Sequence, residues 1–259
     1  MTENASSATP VVGAIVIGDE ILSGKRSDKH IAKLIALLAA RGMELSWVRI
    51  LGDDAELLTQ NLRESFASGS IVFSFGGIGA TPDDRTRQCA AAALGLPLEA
   101  HPDGLRALEE QFGPAARPQR VRMVEFPQGA EIIPNPVNRV PGFSIRDHHF
   151  VPGFPNMAWP MVEWVLDNRY PHLQAAGERT EQAITVFDCR ESQVIDLLET
   201  FEREYPMLRV SCLPHAEQGF QVELGLRGEI TTVNTAMKRL QAHIDSMGFA
   251  WERVDLSRG

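Results

Sequence analysis

Val11-Val12-Gly13-Ala14-Ile15-Val16-Ile17 is an unbroken apolar run, closed at once by Gly18-Asp19-Glu20-Ile21-Leu22-Ser23-Gly24. A run of this length with no polar alternation is the signature of a strand buried on both faces of a parallel sheet. Helical spacing follows, with Ile31, Leu34, Ile35, Leu37 and Leu38 recurring between Asp28 and Arg41 and Gly42 as the stop. Residues 45–51 then read as a strand, 55–66 as a helix and 70–75 as a third strand. This βαβαβ alternation predicts a doubly wound, mostly parallel sheet between two helical layers, with ligand sites at the carboxyl ends of its strands.

Downstream, helices are expected over 85–94, 102–112 and 156–166, with short extended pieces at 131–133, 143–145 and 149–151. Residues 113–128 have no readable period. The mixture of polar residues, a proline and a glycine at 167–180 marks a boundary. Beyond it the order of expected elements is strand (182–187), helix (191–205), strands (208–213 and 220–226), helix (231–247) and strand (250–254). This βαββαβ order is that of a smaller ferredoxin-like α+β domain. The expected organisation is a disordered tail over 1–10, a first domain over 11–170 and a second over 178–257.

Composition excludes several classes of function. The chain has 259 residues, 44% hydrophobic and 23% charged, with a formal charge of −9. Neither half is basic, which argues against a nucleic-acid footprint. No stretch is apolar enough to span a bilayer, and the start has neither the basic nor the apolar part of a signal peptide, so a cytoplasmic location is expected. Cys89, Cys189 and Cys212 are odd in number and far apart, and are read as structural.

Three acidic, glycine-bearing loops leave the same sheet edge. They are Gly18-Asp19-Glu20, Gly52-Asp53-Asp54 and Phe75-Gly76-Gly77-Ile78-Gly79-Ala80-Thr81-Pro82-Asp83-Asp84. Glycines allow tight turns and close approach to a ligand, and the helix start after the third loop offers N–H groups to a phosphate. A plain βα turn capped by Asp83 or Asp84 is the alternative. One carboxylate per loop is explained by capping, whereas six near one edge repel each other and any phosphate unless a cation sits among them. Two rigid turns, Pro134-Asn135-Pro136 to Pro141-Gly142-Phe143 and Val151-Pro152-Gly153-Phe154-Pro155, join them, and Arg139 is a candidate positive charge for a diphosphate. Phe154 is the aromatic expected beside the ligand. Trp159 and Trp164 are expected in core or interface. His148 and His149 point to opposite faces of an extended stretch and are read as surface or packing residues.

These motifs, in this order, resemble the molybdopterin-binding domain superfamily over about residues 10–170, above all the competence/damage-inducible protein A family and the corresponding domain of eukaryotic FAD synthase. The second domain resembles the small module of the former by pattern only. The resemblance implies a three-layer molybdopterin-binding-type fold in a homo-oligomer. It also implies a phosphate-bearing ligand, a nucleotide or a molybdopterin-like pterin, held by Gly18, Asp19, Glu20, Gly76, Gly77, Gly79, Thr81, Asn135, Arg139 and Gly153. Acidic residues matching Asp53 and Asp84 serve metal-dependent chemistry in molybdopterin adenylyltransferases, which makes these two the expected catalytic pair and ligands of a divalent cation (Mg, Mn, Co or Ni). The competence and FAD synthase relatives imply hydrolysis of a diphosphate such as ADP-ribose or FAD. Adenylyl transfer to a pterin and a non-catalytic sensing module are the alternatives. Ala80 replaces a usual proline, and Asn138-Arg139 a usual small pair. Neither an amidohydrolase nor a sulfate-reductase-like domain is recognised, so nicotinamide mononucleotide deamidation and FAD formation are expected to be absent.

Overall fold

The computed structural model describes residues 10–173, 179–215 and 220–255. The tail at 1–9 and part of the boundary segment, 174–178, lie outside the described residues. The chain divides into two compact units, Met1–Ala175 and Ala176–Gly259.

In the first unit β1 (Val12–Ile17) is an interior strand. It pairs in parallel with β2 (Leu45–Leu51) on one side and β3 (Ile71–Phe75) on the other. Beyond β3 come β8 (His148–Val151), parallel to it, and then β7 (Gly142–Ile145) and β6 (Glu131–Ile133), both antiparallel, giving the order β2-β1-β3-β8-β7-β6. The sheet is therefore mostly parallel, with an antiparallel edge. A two-residue period divides β1 between two cores. Val12, Ala14 and Val16 face α2 (His30–Ala39), which follows the one-turn α1 (Asp19–Leu22), and α6 (Pro155–Arg169) through Leu34, Leu38, Met161 and Val165. Ile15 and Ile17 face α3 (Ala55–Ala67), α4 (Thr86–Leu94) and α5 (Pro102–Phe112) through Leu58, Leu62, Ala90 and Leu108. These are the two helical layers that the βαβαβ alternation predicts. Gly13 is required by packing: a Cβ there would lie 2.1 Å from the Trp47 ring, whose Nε1 donates to Ser70 Oγ at 3.3 Å.

The stretch without readable period holds two 3-10 turns, Gly113–Ala116 and Arg120–Val124, and then β5 (Glu125–Pro127), which pairs with β4 (Leu98–Ala100) in a two-stranded ladder. Phe126 stacks on Phe143, and Phe143 on Phe150, with centroids 4.7 and 4.4 Å apart, tying this ladder to the main sheet.

His148 and His149 do occupy opposite faces, but neither is a surface residue: they are 2% and 0% exposed. His148 Nε2 meets Ser65 Oγ at 2.6 Å, and its ring packs on Phe66. His149 bridges Ser144 Oγ (2.8 Å) and the Tyr170 hydroxyl (2.7 Å), and that hydroxyl donates to Asp147 at 3.0 Å. Since the Tyr170 proton goes to Asp147, His149 carries its own proton on Nε2 and Nδ1 accepts from Ser144. Trp159 and Trp164 pack, partly buried, against the α2–α6 core.

The second unit comprises β9 (Arg179–Phe187), α7 (Ile195–Glu204), β10 (Arg209–His215), β11 (Gln221–Glu229), α8 (Ile230–Ser246) and β12 (Trp251–Arg253). Its antiparallel sheet runs β10-β11-β9-β12, the strand order of a ferredoxin-like fold. Ile184, Leu224, Phe201 and Leu240 form its core. The three cysteines are free, Cys89 and Cys189 among them buried. Among the described residues no helix is long and apolar enough to cross a membrane.

Candidate functional site

The chain passes from β1 to β2 on one side of the sheet and then crosses to β3 on the other, which opens a crevice at the carboxyl ends of β1 and β3. A cavity of about 660 Å³ occupies this place. Its floor is the glycine loop. Gly76 and Gly77 have φ of +103° and +68°. A Cβ on Gly76 would lie 2.4 Å from the Ile17 carbonyl oxygen, and one on Gly77 would lie 2.2 Å from Thr86 Oγ1, so both positions demand glycine. Thr86, buried at the start of α4, fixes the loop from beneath: its hydroxyl donates to Gly76 O at 2.9 Å and its N–H to Gly77 O at 3.0 Å.

Not every N–H group of the glycine loop is available to a ligand. The Gly76 N–H donates to Val151 O at 3.0 Å, so the N–H groups without a partner among the described residues begin at Gly77 and run to Ala80. Thr81 N–H and hydroxyl donate to Asp84 Oδ2 at 2.9 and 2.5 Å, which closes the turn. Asp84 is therefore a loop-closing carboxylate on the cavity wall rather than the cap of α4, whose N-cap position is Arg85 with no side-chain bond. Beneath the loop lies Arg87, 1% exposed, which donates to the carbonyls of Gly79 (2.6 Å), Glu125 (3.3 Å) and Arg122. Sequence reasoning missed it; on a helix it reads as an ordinary surface cation.

The six carboxylates separate. Asp54 caps α3 by accepting from Leu57 N–H at 2.8 Å. Asp19 and Asp53 face each other: Asp19 N–H donates to Asp53 Oδ2 and Asp53 N–H to Asp19 Oδ1, each at 3.1 Å. Burial raises the pKa of Asp53, the bond from Asp19 N–H opposes this, and the charges of Asp19, Glu20 and Asp83 add to the rise. Neither Asp19 nor Asp53 lines the cavity, whereas Glu20, Asp83 and Asp84 do. Arg85 links the two loops by donating to Asp53 O and Pro82 O, both at 3.3 Å. Among the described residues no three His, Cys, Asp or Glu side chains are gathered closely enough to hold a metal ion by themselves. The donor set suits a hard divalent cation that takes one or two carboxylates and completes its shell with phosphate oxygens and water.

Gly18 follows β1, and the Glu20 carboxylate lies against its Cα. Asn135 lines the cavity, but its amide is spent on the turn: Nδ2 donates to Asn138 Oδ1 (2.8 Å) and Val140 O (3.0 Å), and Oδ1 accepts from Val137 N–H (3.0 Å). Gly153 packs its Cα region against Gly76. Arg139 stands elsewhere than expected. It is absent from the cavity lining, and its guanidinium lies 3.6 Å from Glu110 in an exposed pair. The cations that do line the cavity are Arg26 and Arg120, the latter lying over the Phe112 ring at 4.7 Å. Phe154, 58% exposed, forms part of the wall.

Residues 13–174 match the family described as "Probable molybdopterin binding domain". A CinA-like protein from an Anaeromyxobacter species is 41% identical over 132 residues, which are 50% of this chain and 32% of that protein. A CinA-like protein from a Geobacter species is 32% identical over 260 residues, covering 95% of this chain and 61% of its own length. The chain thus spans less than two thirds of these curated relatives. The crystal structure of the protein CinA, of unknown function, from Thermoplasma acidophilum superposes with a TM-score of 0.57 at 25% identity, over 62% of this chain and 99% of that one.

Proposed function

The chain belongs to the molybdopterin-binding domain family, and on that premise we propose that it hydrolyses nucleotide diphosphates of the ADP-ribose or FAD type with the help of a divalent cation. The observation that carries this reading is the pairing, in one cavity, of four backbone N–H groups at residues 77–80, unpartnered among the described residues, with the carboxylates of Glu20, Asp83 and Asp84.

The N–H groups suit a phosphate whose charge grows in the transition state, and the arrangement is held rigid by Thr86 and Arg87 from below. Asp84 and one of Glu20 and Asp83 would hold the cation, with the diphosphate and water completing its shell. Bound there, the cation would neutralise the diphosphate and polarise the scissile bond. Asp53, as one half of the brace with Asp19, orients the loop that carries Glu20.

Chromatographic assay of the full chain against ADP-ribose, FAD, NAD, coenzyme A and ATP, each with Mg, Mn, Co or Ni, tests the proposal, with Asp84→Asn as the control. Metal-dependent cleavage abolished in the variant is the expected result; full activity of Asp84→Asn sinks it. The absence of a three-donor cluster among the described residues favours one competing reading, a module that binds a nucleotide or pterin without turnover. Binding by calorimetry with silence across the whole panel would select that reading. Adenylyl transfer would show as an adenylylated pterin formed from ATP.

A further inference from the structure

Three of the four N–H groups at residues 77–80 have their direction set from the far side of the loop. In a planar trans peptide the C=O of one residue and the N–H of the next point in opposite directions, and the peptides of this loop are trans. Gly76 O accepts from the Thr86 hydroxyl at 2.9 Å and Gly77 O from the Thr86 N–H at 3.0 Å, so the N–H groups of Gly77 and Ile78 are turned away from α4. Gly79 O accepts from the Arg87 guanidinium at 2.6 Å, which turns the Ala80 N–H away in the same manner. The cavity lies on that side: residues 76–81 line it, whereas the buried Thr86 and Arg87 do not.

The partners of Arg87 are unusual for a buried cation. It donates only to carbonyls, those of Gly79, Glu125 (3.3 Å) and Arg122, and makes no ion pair among the described residues. Its Nε has no partner among them either. Burial lowers its pKa, the charges of Glu125 and Asp84 oppose this and that of Arg122 adds to it, yet a guanidinium stays charged inside a protein. A buried charge with no carboxylate in contact and one donor unsatisfied costs stability, so packing alone does not account for it. What the charge does supply is a strong hydrogen bond to Gly79 O. Such a bond polarises the peptide it meets, and the N–H on the other side of that peptide becomes the better donor.

We propose that Arg87 is a positioning residue of the phosphate site, acting through the Gly79–Ala80 peptide: it aims the Ala80 N–H into the cavity and strengthens it as a donor to phosphate. A positive charge thereby serves the ligand from beneath the loop without standing among the carboxylates of Glu20, Asp83 and Asp84. The bonds to Arg122 and Glu125 tie the same guanidinium to the 3-10 turn whose Arg120 and Met123 form another part of the cavity wall, so the glycine loop and that wall keep one spacing. The inference rests on the phosphate reading of the loop and deepens it.

Amide proton and nitrogen resonances of the isotope-labelled full chain read the effect residue by residue. Arg87→Met, Arg87→Lys and Thr86→Val are compared with the unaltered chain, each checked by melting temperature and then titrated with inorganic pyrophosphate in the presence of Mg. In Arg87→Met the Ala80 resonances are expected to move upfield before any ligand is added. Pyrophosphate affinity should fall about tenfold, as for one lost bond to a charged group, while the Gly77 amide keeps its response. Thr86→Val should reverse the pattern, displacing Gly77 and sparing Ala80. Arg87→Lys keeps a cation but not the planar fork, so it should shift Ala80 in the same direction by less. Ala80 unmoved in Arg87→Met, Gly77 and Ala80 moving alike in both variants, or an unchanged pyrophosphate affinity would each overturn the proposal. If Arg87→Met does not fold, Arg87→Lys decides, and an unmoved Ala80 there is equally fatal. An unaltered chain that binds no pyrophosphate refutes the phosphate reading, while the Ala80 resonances of the free chains still decide what Arg87 does.

Discussion

Asp19 and Asp53 brace each other, each carboxylate accepting the backbone N–H of the other at 3.1 Å. The bond pair locks the loop after β1 to the loop after β2. It also sets two negative groups side by side, and burial together with the charges of Asp19, Glu20 and Asp83 raises the Asp53 pKa. Asp53→Asn keeps an acceptor for Asp19 N–H while removing the repulsion, so stability is expected to stay level or rise. Asp53→Ala loses the bond and about 1 kcal/mol. Urea unfolding of the two variants at pH 7 checks the difference; equal losses would show that charge, not the brace, is what Asp53 contributes.

Two glycines in the same loop are predicted to fail in different ways when given a methyl group. At Gly76 the new Cβ meets a backbone atom, Ile17 O, at 2.4 Å and the φ of +103° is hostile to any side chain, so Gly76→Ala should cost at least about 2 kcal/mol of stability. At Gly79 the obstacle is Asp84 Oδ2, also at 2.4 Å, which can swing away. Gly79→Ala should therefore still fold, at a smaller cost of about 1 kcal/mol for the bonds from Thr81 to Asp84, while displacing the carboxylate from the cavity wall and reducing metal-dependent turnover by tenfold or more. Paired measurements of unfolding and rate separate the two, and a Gly79→Ala chain of full activity contradicts the role given to Asp84.

The doubly wound core was legible because β1 and β3 are buried on both faces, so that β1 carries no polar residue and β3 only Ser74, and because α2 keeps its apolar stripe. β4 and β5 were not legible: each is three residues long and pairs with the other, 25 or more residues away, a pairing no local period records. At the site, glycine and carboxylate positions followed from the loops, but side-chain direction did not. Asp19 and Asp53 turn toward each other, and Arg139 turns to Glu110 in a distant helix, because those contacts are set by the packing of separate elements. Adjacency in a strand correctly separated His148 from His149 onto two faces, yet gave no measure of depth. Only the sheet order, with β8 inside it, makes both faces interior.

That depth has a pH consequence. Burial, with the charge of Arg146 adding, holds the pKa of His148 down to about 3, and burial, with the charges of Arg169 and His148 adding, holds His149 well below 6.5. The folded chain therefore binds fewer protons than the unfolded chain below 6.5, and stability present above that value is lost as pH falls. Each histidine should contribute a slope of about 1.4 kcal/mol per pH unit over this range. His148→Gln should remove one proton's worth of that slope in urea unfolding at pH 7, 6 and 5, whatever it costs in absolute stability. A slope equal to that of the unaltered chain would show that His148 opens to water before the fold does.

The second unit carries the opposite case, a carboxylate held low. Glu229 caps α8 by accepting from the N–H and hydroxyl groups of both Thr231 and Thr232, at 2.6 to 3.0 Å. The Thr231 hydroxyl, the two N–H groups and the Thr232 hydroxyl bring its pKa from 4.5 to about 2. A depressed carboxylate stabilises the fold above its unfolded value and ceases to do so as pH falls through its folded value. Glu229→Gln offers a single acceptor oxygen for these donors, so it should lower the melting temperature at pH 7. The gap from the unaltered chain should hold down to about 4.5, narrow below it and close near 2. Circular dichroism melts of both chains at pH 7, 4.5, 3.5 and 2.5 follow the gap; a constant difference across the series would mean that the cap acts through shape alone and not through its charge.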